Sequence, residues 1–301
     1  MYRQEAKQEW DVARAKAFWE QVVKYVQQKD ANLINFDYVS QQLDLRNPRY
    51  QGLHEIAIDD IVGSVGRYSD FTAAFFPKTK KMEERWANIA AMYLNPVGTG
   101  VPPIELYKVG SSYFVRDGNH RVSVSRQLGN SMIEAYVWEY PEPVEGISND
   151  SDIDTLLIEA EKQDFLKFTE FDTLRPNHNI HLTLPGGYRE LIRHILHYQR
   201  KLKSIDDGIH YINDVSLTET VMEWYDQVYK PTIDIIEQAD VMASFPDRTP
   251  TDLFIFSRRE KKRLESLYQH QVPIDEVVDI VEAKQRNVFF YLQKLFVGWL
   301  R

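Results

Sequence analysis

Apolar residues recur at helical spacing from the start of the chain. Trp10, Ala13, Ala17, Phe18, Val22, Tyr25 and Val26 predict an amphipathic helix over residues 5–28. Further on, 54–58 alternates like a short strand, while Phe71–Phe76 and Glu83–Leu94 (Trp86, Ile89, Ala90, Tyr93) have helical spacing. Two β-rich runs, 104–109 and 112–116, flank Gly110-Ser111 and predict a hairpin. A short helix from about Asn119 to Leu128, stopped by Gly129, and a strand over 133–138 close this half. Strand, helices, hairpin, short helix, strand is an α+β order.

Helical spacing dominates the rest. Leu191, Ile192, Ile195, Leu196 and Leu202 mark one helix within 188–202, and Val221, Trp224, Tyr225 and Val228 another within 217–229, which Pro231 kinks or ends. Residues 251–268 and 274–300 are further helical candidates, and HLTLP (181–185) reads as an isolated strand or a loop. The aromatic run Trp224, Tyr225 and Tyr229 follows helical spacing and reads as core, not as a stacking platform for bases.

Composition narrows the function classes. At 301 residues the chain is long enough for two domains. It has no cysteine, which rules out disulfides, thiolate metal sites and a cysteine nucleophile. No uncharged apolar run reaches the roughly 18 residues of a membrane span; the apolar tail 287–300 contains Lys294. The N-terminal residues lack an apolar signal core, so a cytoplasmic protein with no membrane partner is expected. Net charge is −9, and most of it lies in residues 141–180, where ten acids oppose three bases. That stretch opens with PEPVEGISNDSD, which reads as a linker with a boundary near 141–152; the acids after it read as a solvated face.

The segment YFVRDGNHRVSVSRQLG (113–129) carries the clearest chemistry. A strand runs into Asp117-Gly118-Asn119 and at once into a helix whose first turn holds His120 and Arg121. Cations there oppose the helix dipole, at a cost of up to ~1 kcal/mol each. The arrangement makes sense if an anion sits at the helix N-terminus, bound by backbone N–H groups and flanked by imidazole and guanidinium. Gly118 would allow close approach, and Asn119 or Asp117 could cap the helix. The competing reading pairs Arg121 with Asp117 or another carboxylate and makes His120 a hydrogen-bonded core residue. A second segment, residues 61–68 (IVGSVGRY), offers Ser64 and Arg67 on a glycine-containing loop; its weight depends on whether it meets the first in space.

IAIDDIVGSVGRYSDF, followed by VPPIELYKVGSSYFVRDGNHRVSVSRQLGNSMIEAYV, resembles the ParB/sulfiredoxin superfamily over about residues 53–139. The resemblance implies a ParB/sulfiredoxin-like module with a mixed sheet and short helices, followed by a mainly α-helical domain. It matches Arg67 to the arginine of the first ParB box, and Gly118-Asn119-His120-Arg121 to the second, where the phosphates of a bound nucleotide rest. The form DGNHR most resembles the Asp-Gly-x-His-Arg of ParB-like free-serine kinases and of uncharacterised ParB-like bacterial and archaeal proteins. Asn119 occupies the place of the sulfiredoxin cysteine, so sulfinic acid reduction is excluded. Gly-Glu-Arg-Arg of ParB proper is replaced, and no helix-turn-helix with a basic recognition helix follows. LTLPGGYRELIRHILHYQ, VMEWYDQVYKP and FPDRTPTDLFIF resemble a domain of unknown function, the DUF4032 type, which brings no assigned chemistry. The expected organisation is a helical extension over 1–50, the nucleotide-binding module over 51–140 and a helical domain over 141–301.

On this reading Ser64, Arg67, Gly118, Asn119, His120 and Arg121 hold a nucleotide (ATP, ADP or CTP, with Mg²⁺ as a candidate companion) or a small phosphorylated ligand. Asp117, His120 and Asp70 are the candidate catalytic residues of a small-molecule kinase or nucleotide hydrolase, with Asp59 and Asp60 further candidates for a base or Mg²⁺ ligand. A DNA-associated regulator or nuclease is the alternative; the acidic chain makes nucleic acid the less favoured partner. A non-catalytic interaction module is the third, and a homo-oligomer is left open. His194 and His197, three apart on one helix, could bridge a metal, but with no third ligand placed by spacing (His178, His181 and His210 are near only in sequence) no metal site is expected. The basic run 257–263 reads as a solvated helix face in preference to a phosphate contact.

Overall fold

A computed structural model describes residues 2–26, 32–95, 97, 100–141, 144, 147, 151–205 and 216–299, without the side chains of 22–26, 203–205 and 287–299. Readings made at Val22, Tyr25, Val26 and His210, at most of the 142–150 linker, and on the side chains of the apolar tail lie outside the described residues. The chain divides into two compact units, residues 1–156 and 157–301. No helix among the described residues is long and apolar enough to cross a membrane.

The first unit is α+β. Its elements are α1 (Tyr2–Val26), β1 (Ile34–Asn35), α2 (Phe36–Gln42), β2 (Arg49–Ala57), β3 (Ile61–Ser64), α3 (Glu83–Leu94), β4 (Ile104–Val109), β5 (Ser112–Asp117), α4 (Asn119–Gln127) and β6 (Met132–Tyr140). The strands form one mixed sheet in the order β1-β3-β5-β4-β6-β2. Pairs β1–β3, β3–β5 and β4–β6 are parallel, whereas β4–β5 and β2–β6 are antiparallel. Residues 1–50 therefore give the sheet the edge strand β1 as well as the helices α1 and α2.

Alternation along the strands sends Ile104, Leu106, Val115, Ile133, Ala135 and Val137 to the inner face. There they meet Trp10 of α1, Trp86 of α3 and Val122 and Val124 of α4. The two indoles pack edge to face at 5.6 Å, and Trp86 Nε1 donates to Ser123 Oγ at 2.8 Å. On α1 the buried seam is Ala6, Trp10, Ala13 and Ala17, and Phe18, expected on it, is exposed. Adjacent helical residues point about 100° apart, so the residue after a seam alanine leaves the seam.

On the outer face, Phe36 of α2 stacks on Tyr107 at 4.9 Å and meets Phe114 at 5.4 Å. A Cβ at Gly63 would overlap Ile34 O and the Phe114 ring, so only glycine lets β1 and this aromatic layer close on β3.

Phe71–Phe76 is not helical. Phe71 bridges Pro77 in an antiparallel turn, with Thr72 N–H donating to Phe76 O and Phe75 at φ 61°. The buried i, i+4 pair Phe71 and Phe75 imitates a helix face, but Pro77 and the left-handed Phe75 break the ladder.

The described part of the second unit is helical: α5 (Ile153–Thr169, which begins in the first unit), α6 (Phe171–Leu174), α7 (Gly187–Ile205), α8 (Leu217–Trp224), α9 (Lys230–Gln238), α10 (Pro250–Tyr268) and α11 (Ile274–Trp299). Leu191, Ile195, Val221, Trp224, Tyr229 and Phe254 share its core. One π-helical turn, Tyr225–Tyr229, joins α8 to α9. Pro231 thus sits in the first turn of α9, where a missing N–H is tolerated, and neither ends the path nor interrupts it. Leu196, expected on the apolar face of α7, is exposed.

HLTLP forms a loop, held by Asp252, which accepts from Thr183 N (3.1 Å) and Thr183 Oγ1 (2.8 Å). Glu161, read as part of a solvated acidic face, is buried: both its oxygens accept from Gly186 N–H, at 2.8 and 2.9 Å, beside the start of α7. A carboxylate there is favoured by the helix dipole. In the basic run, Arg259 forks onto Glu190, Arg263 pairs with Glu260 and Lys261 with Glu265, while Arg258 turns inward to Thr232 Oγ1.

Candidate functional site

Strand β5 ends at Asp117 and the chain turns into α4 through Gly118, at φ 116°. A Cβ at this position would lie 2.5 Å from Ile104 Cγ2 and 3.2 Å from Arg121 Nε. Glycine is needed twice here, for the left-handed backbone and for the space. Gly118 is also the N-cap and has no side chain to cap with. The first intrahelical bond is Val122 N–H to Gly118 O, so the first-turn amides of α4 lack an intrahelical partner. Neither Asp117 nor Asn119 caps the helix as the sequence suggested. Asn119 is its first residue, with Oδ1 buried and unpartnered, and Asp117 forms an ion pair with Arg121.

Arg121 is tied down further by donating from Nη1 to Pro102 O at 2.9 Å and Pro103 O at 2.5 Å. Its pairing with Asp117 is the plain structural role weighed against ligand binding, and Arg121 nevertheless lines a cleft of about 340 Å³. His120 departs from the plain reading. It is 95% buried, packs edge-on against Phe71 at 5.4 Å, and neither ring nitrogen has a hydrogen-bond partner. Buried polar atoms are nearly always satisfied, so an orphaned imidazole at a cleft wall needs an explanation. Burial, reinforced by Arg85 and Arg67, pushes its pKa down to about 4, so the ring is neutral near pH 7.

The loop after β3 comes to the same place. Val65 N–H donates to Val115 O at 2.9 Å, fastening the loop to β5, and Ser64 Oγ is hydrogen-bonded to Gly66 O and to Val115 O. Gly66 and Arg67 line the cleft with Gly118 to Arg121, so the two segments meet in space. Arg67 has φ 56°, a left-handed conformation uncommon for a residue with a Cβ. Ser64 and Asp70 are not among the cleft residues: Ser64 is buried holding the loop, and Asp70 follows the turn closed by its own N–H to Arg67 O.

Two cleft arginines escaped the sequence reading, Arg85 of α3 and Arg116 of β5. Nothing in Glu83-Glu84-Arg85-Trp86 separates Arg85 from an ordinary surface cation; only the packing of Trp86 turns that helix edge to the cleft. Among the described residues, neither Arg67 nor Arg85 has a carboxylate within ion-pair distance, and Arg116 is 3.4 Å from Glu105. The cleft thus gathers four arginines and one acid, opposite in sign to the chain as a whole.

In the second unit, His194 Nδ1 accepts from Trp224 Nε1 at 2.8 Å. Burial pushes its pKa to about 4, and this ring nitrogen is committed to the core through Trp224.

No family model matches the chain, and no curated protein matches it either. Among solved structures the chain is similar to a Pnob8-like ParB-N domain, at 10% identity and a TM-score of 0.21, covering 82% of this chain and 99% of that one.

Chemically, the cleft can receive a compact anion. Its lining residues carry backbone amides, guanidinium groups and an imidazole, the donor types that recognise phosphate oxygens.

Proposed function

We propose that this chain binds the phosphate groups of a nucleotide, or of a small phosphorylated ligand, at the N-terminus of α4. One observation carries the reading: buried His120, with both ring nitrogens unpartnered, borders a cleft that also holds the carboxylate-free Arg67 and Arg85. The donors fit phosphate, and the resemblance of DGNHR to the second ParB box points to the same residues. The ligand would be held by the first-turn amides, by Arg67 and Arg85, and by His120 acting as a donor or, once protonated, as a third cation.

Phosphoryl transfer or hydrolysis is a step further. It would require a base, and Asp117 is the one acid among the cleft residues, engaged with Arg121. Asp70 lies outside the cleft residues, so binding is the function this geometry supports best.

Calorimetric titration with ATP, ADP and CTP, with and without Mg²⁺, tests the proposal. Wild type should bind at least one of them, and Arg85→Ala should weaken that binding about tenfold, as loss of a charge-assisted contact implies. No heat from any of them, or equal affinity for wild type and Arg85→Ala, would sink it.

A further inference from the structure

The cleft shares Arg116 with an aromatic surface that phosphate binding leaves unused. On the outer sheet face, Phe36 of α2 packs on Phe114, Tyr107 and Tyr140. Beyond it, Tyr50, Leu53 and Tyr136 are exposed although they stand on paired strands. Tyr50 lies 5.1 Å from Trp138 and 6.5 Å from Tyr136, so the rings form a shelf across β2 and β6.

Arg116 joins this shelf to the cleft. It lines the cleft, and its guanidinium lies 4.8 Å over the Trp138 ring and 5.7 Å over Tyr107. Strand register gives the span. Asp117 is opposite Glu105, Glu105 is opposite Tyr136, and Tyr136 is opposite Leu53. Neighbouring strands lie about 4.8 Å apart, so Tyr136 stands about 10 Å across the sheet from Asp117, a cleft-lining residue. That is the scale of one nucleotide from phosphate to base.

We infer that the outer sheet face is the base-recognition half of the site: the phosphates of a mononucleotide occupy the cleft, and its base stacks on Tyr136 beside Trp138. The inference rests on the phosphate reading above. Charge favours a single nucleotide over a nucleic-acid strand. Glu105 and Glu134 flank Tyr136, and Glu55 stands opposite Glu134, so further phosphates crossing the shelf would meet carboxylates. An aromatic face beside an arginine supplies the stacking and cation–π contacts that a base takes.

The experiment compares inorganic pyrophosphate with ADP and CDP, and with a short single-stranded oligonucleotide, on wild type, Tyr136→Ala, Tyr136→Phe and Arg85→Ala. At least one nucleoside diphosphate should bind wild type about tenfold or more above pyrophosphate, the gain expected of one base–aromatic stack. Tyr136→Ala should lose that margin while keeping pyrophosphate affinity, and Tyr136→Phe should retain it. Arg85→Ala should weaken both ligands. Pyrophosphate binding without any nucleotide margin, or a margin untouched in Tyr136→Ala, overturns the shelf and leaves the cleft standing. If nothing binds wild type, the cleft reading fails and the shelf with it. Tighter binding of the oligonucleotide than of any mononucleotide overturns the inference in favour of a nucleic-acid strand.

Discussion

Acidification should loosen the first unit through His120. In the folded chain, burial and then Arg85 and Arg67 hold this imidazole at about 4. In the unfolded chain it returns to about 6.5. Between those values the unfolded state takes up the proton first, so folding opposes protonation. The stabilisation is present in full above about pH 6.5 and is lost as pH falls toward the folded value. A shift of this size corresponds to about 3 kcal/mol over the whole window, of which about 2 kcal/mol is gone by about pH 5. Urea unfolding across that range should show the slope, and NMR of the ring should place the titration directly. His120→Gln, neutral at every pH, should remove this share and leave the similar share of His194, whose ring burial also holds at about 4. An imidazole titrating near its ordinary value, or identical pH slopes in wild type and His120→Gln, would refute the reasoning.

Gly118→Ala should destabilise the first unit by about 2–4 kcal/mol, combining left-handed strain with overlap against Ile104; thermal unfolding by circular dichroism measures it, and a change under about 0.5 kcal/mol would mean the turn relaxes freely. Arg85→Ala should raise the His120 pKa by removing one of the two repelling cations, visible in the same NMR titration; an unmoved resonance would place Arg85 away from the ring. Asp252→Ala should cost the second unit about 2–4 kcal/mol in denaturant unfolding. The carboxylate accepts from Thr249 N–H at the start of α10 as well as from Thr183, and its loss strands partly buried donors.

Local periodicity reveals much of this protein. The hairpin at Gly110-Ser111, the helix from Asn119, the strand through Ile133 and the long helices of the second unit all follow from patterns spanning a few residues. DGNHR is legible for a related reason: after a strand and a glycine, His120 and Arg121 stand at a helix start where the dipole favours acids. That departure shows in sequence although the folded His120 ring is neutral. Where two nearby residues can produce one spacing in two ways, sequence misleads. Phe71 and Phe75 are buried partners across a turn, and Phe18 is one step off its seam.

Long-range encounters carry no local signature. Arg85 joins the cleft because α3 packs through Trp86 onto Ser123 of α4, an approach between residues 37 apart. Glu161 reads as one acid among ten until the fold buries it against Gly186. Cross-strand register likewise sets Tyr136 in line with Asp117, two strands away. The residue types able to bind phosphate could thus be named from sequence, because their chemistry is local. Which of them share one cleft, which become structural and where the aromatic shelf lies depend on burial and register, which exist only once distant segments have packed.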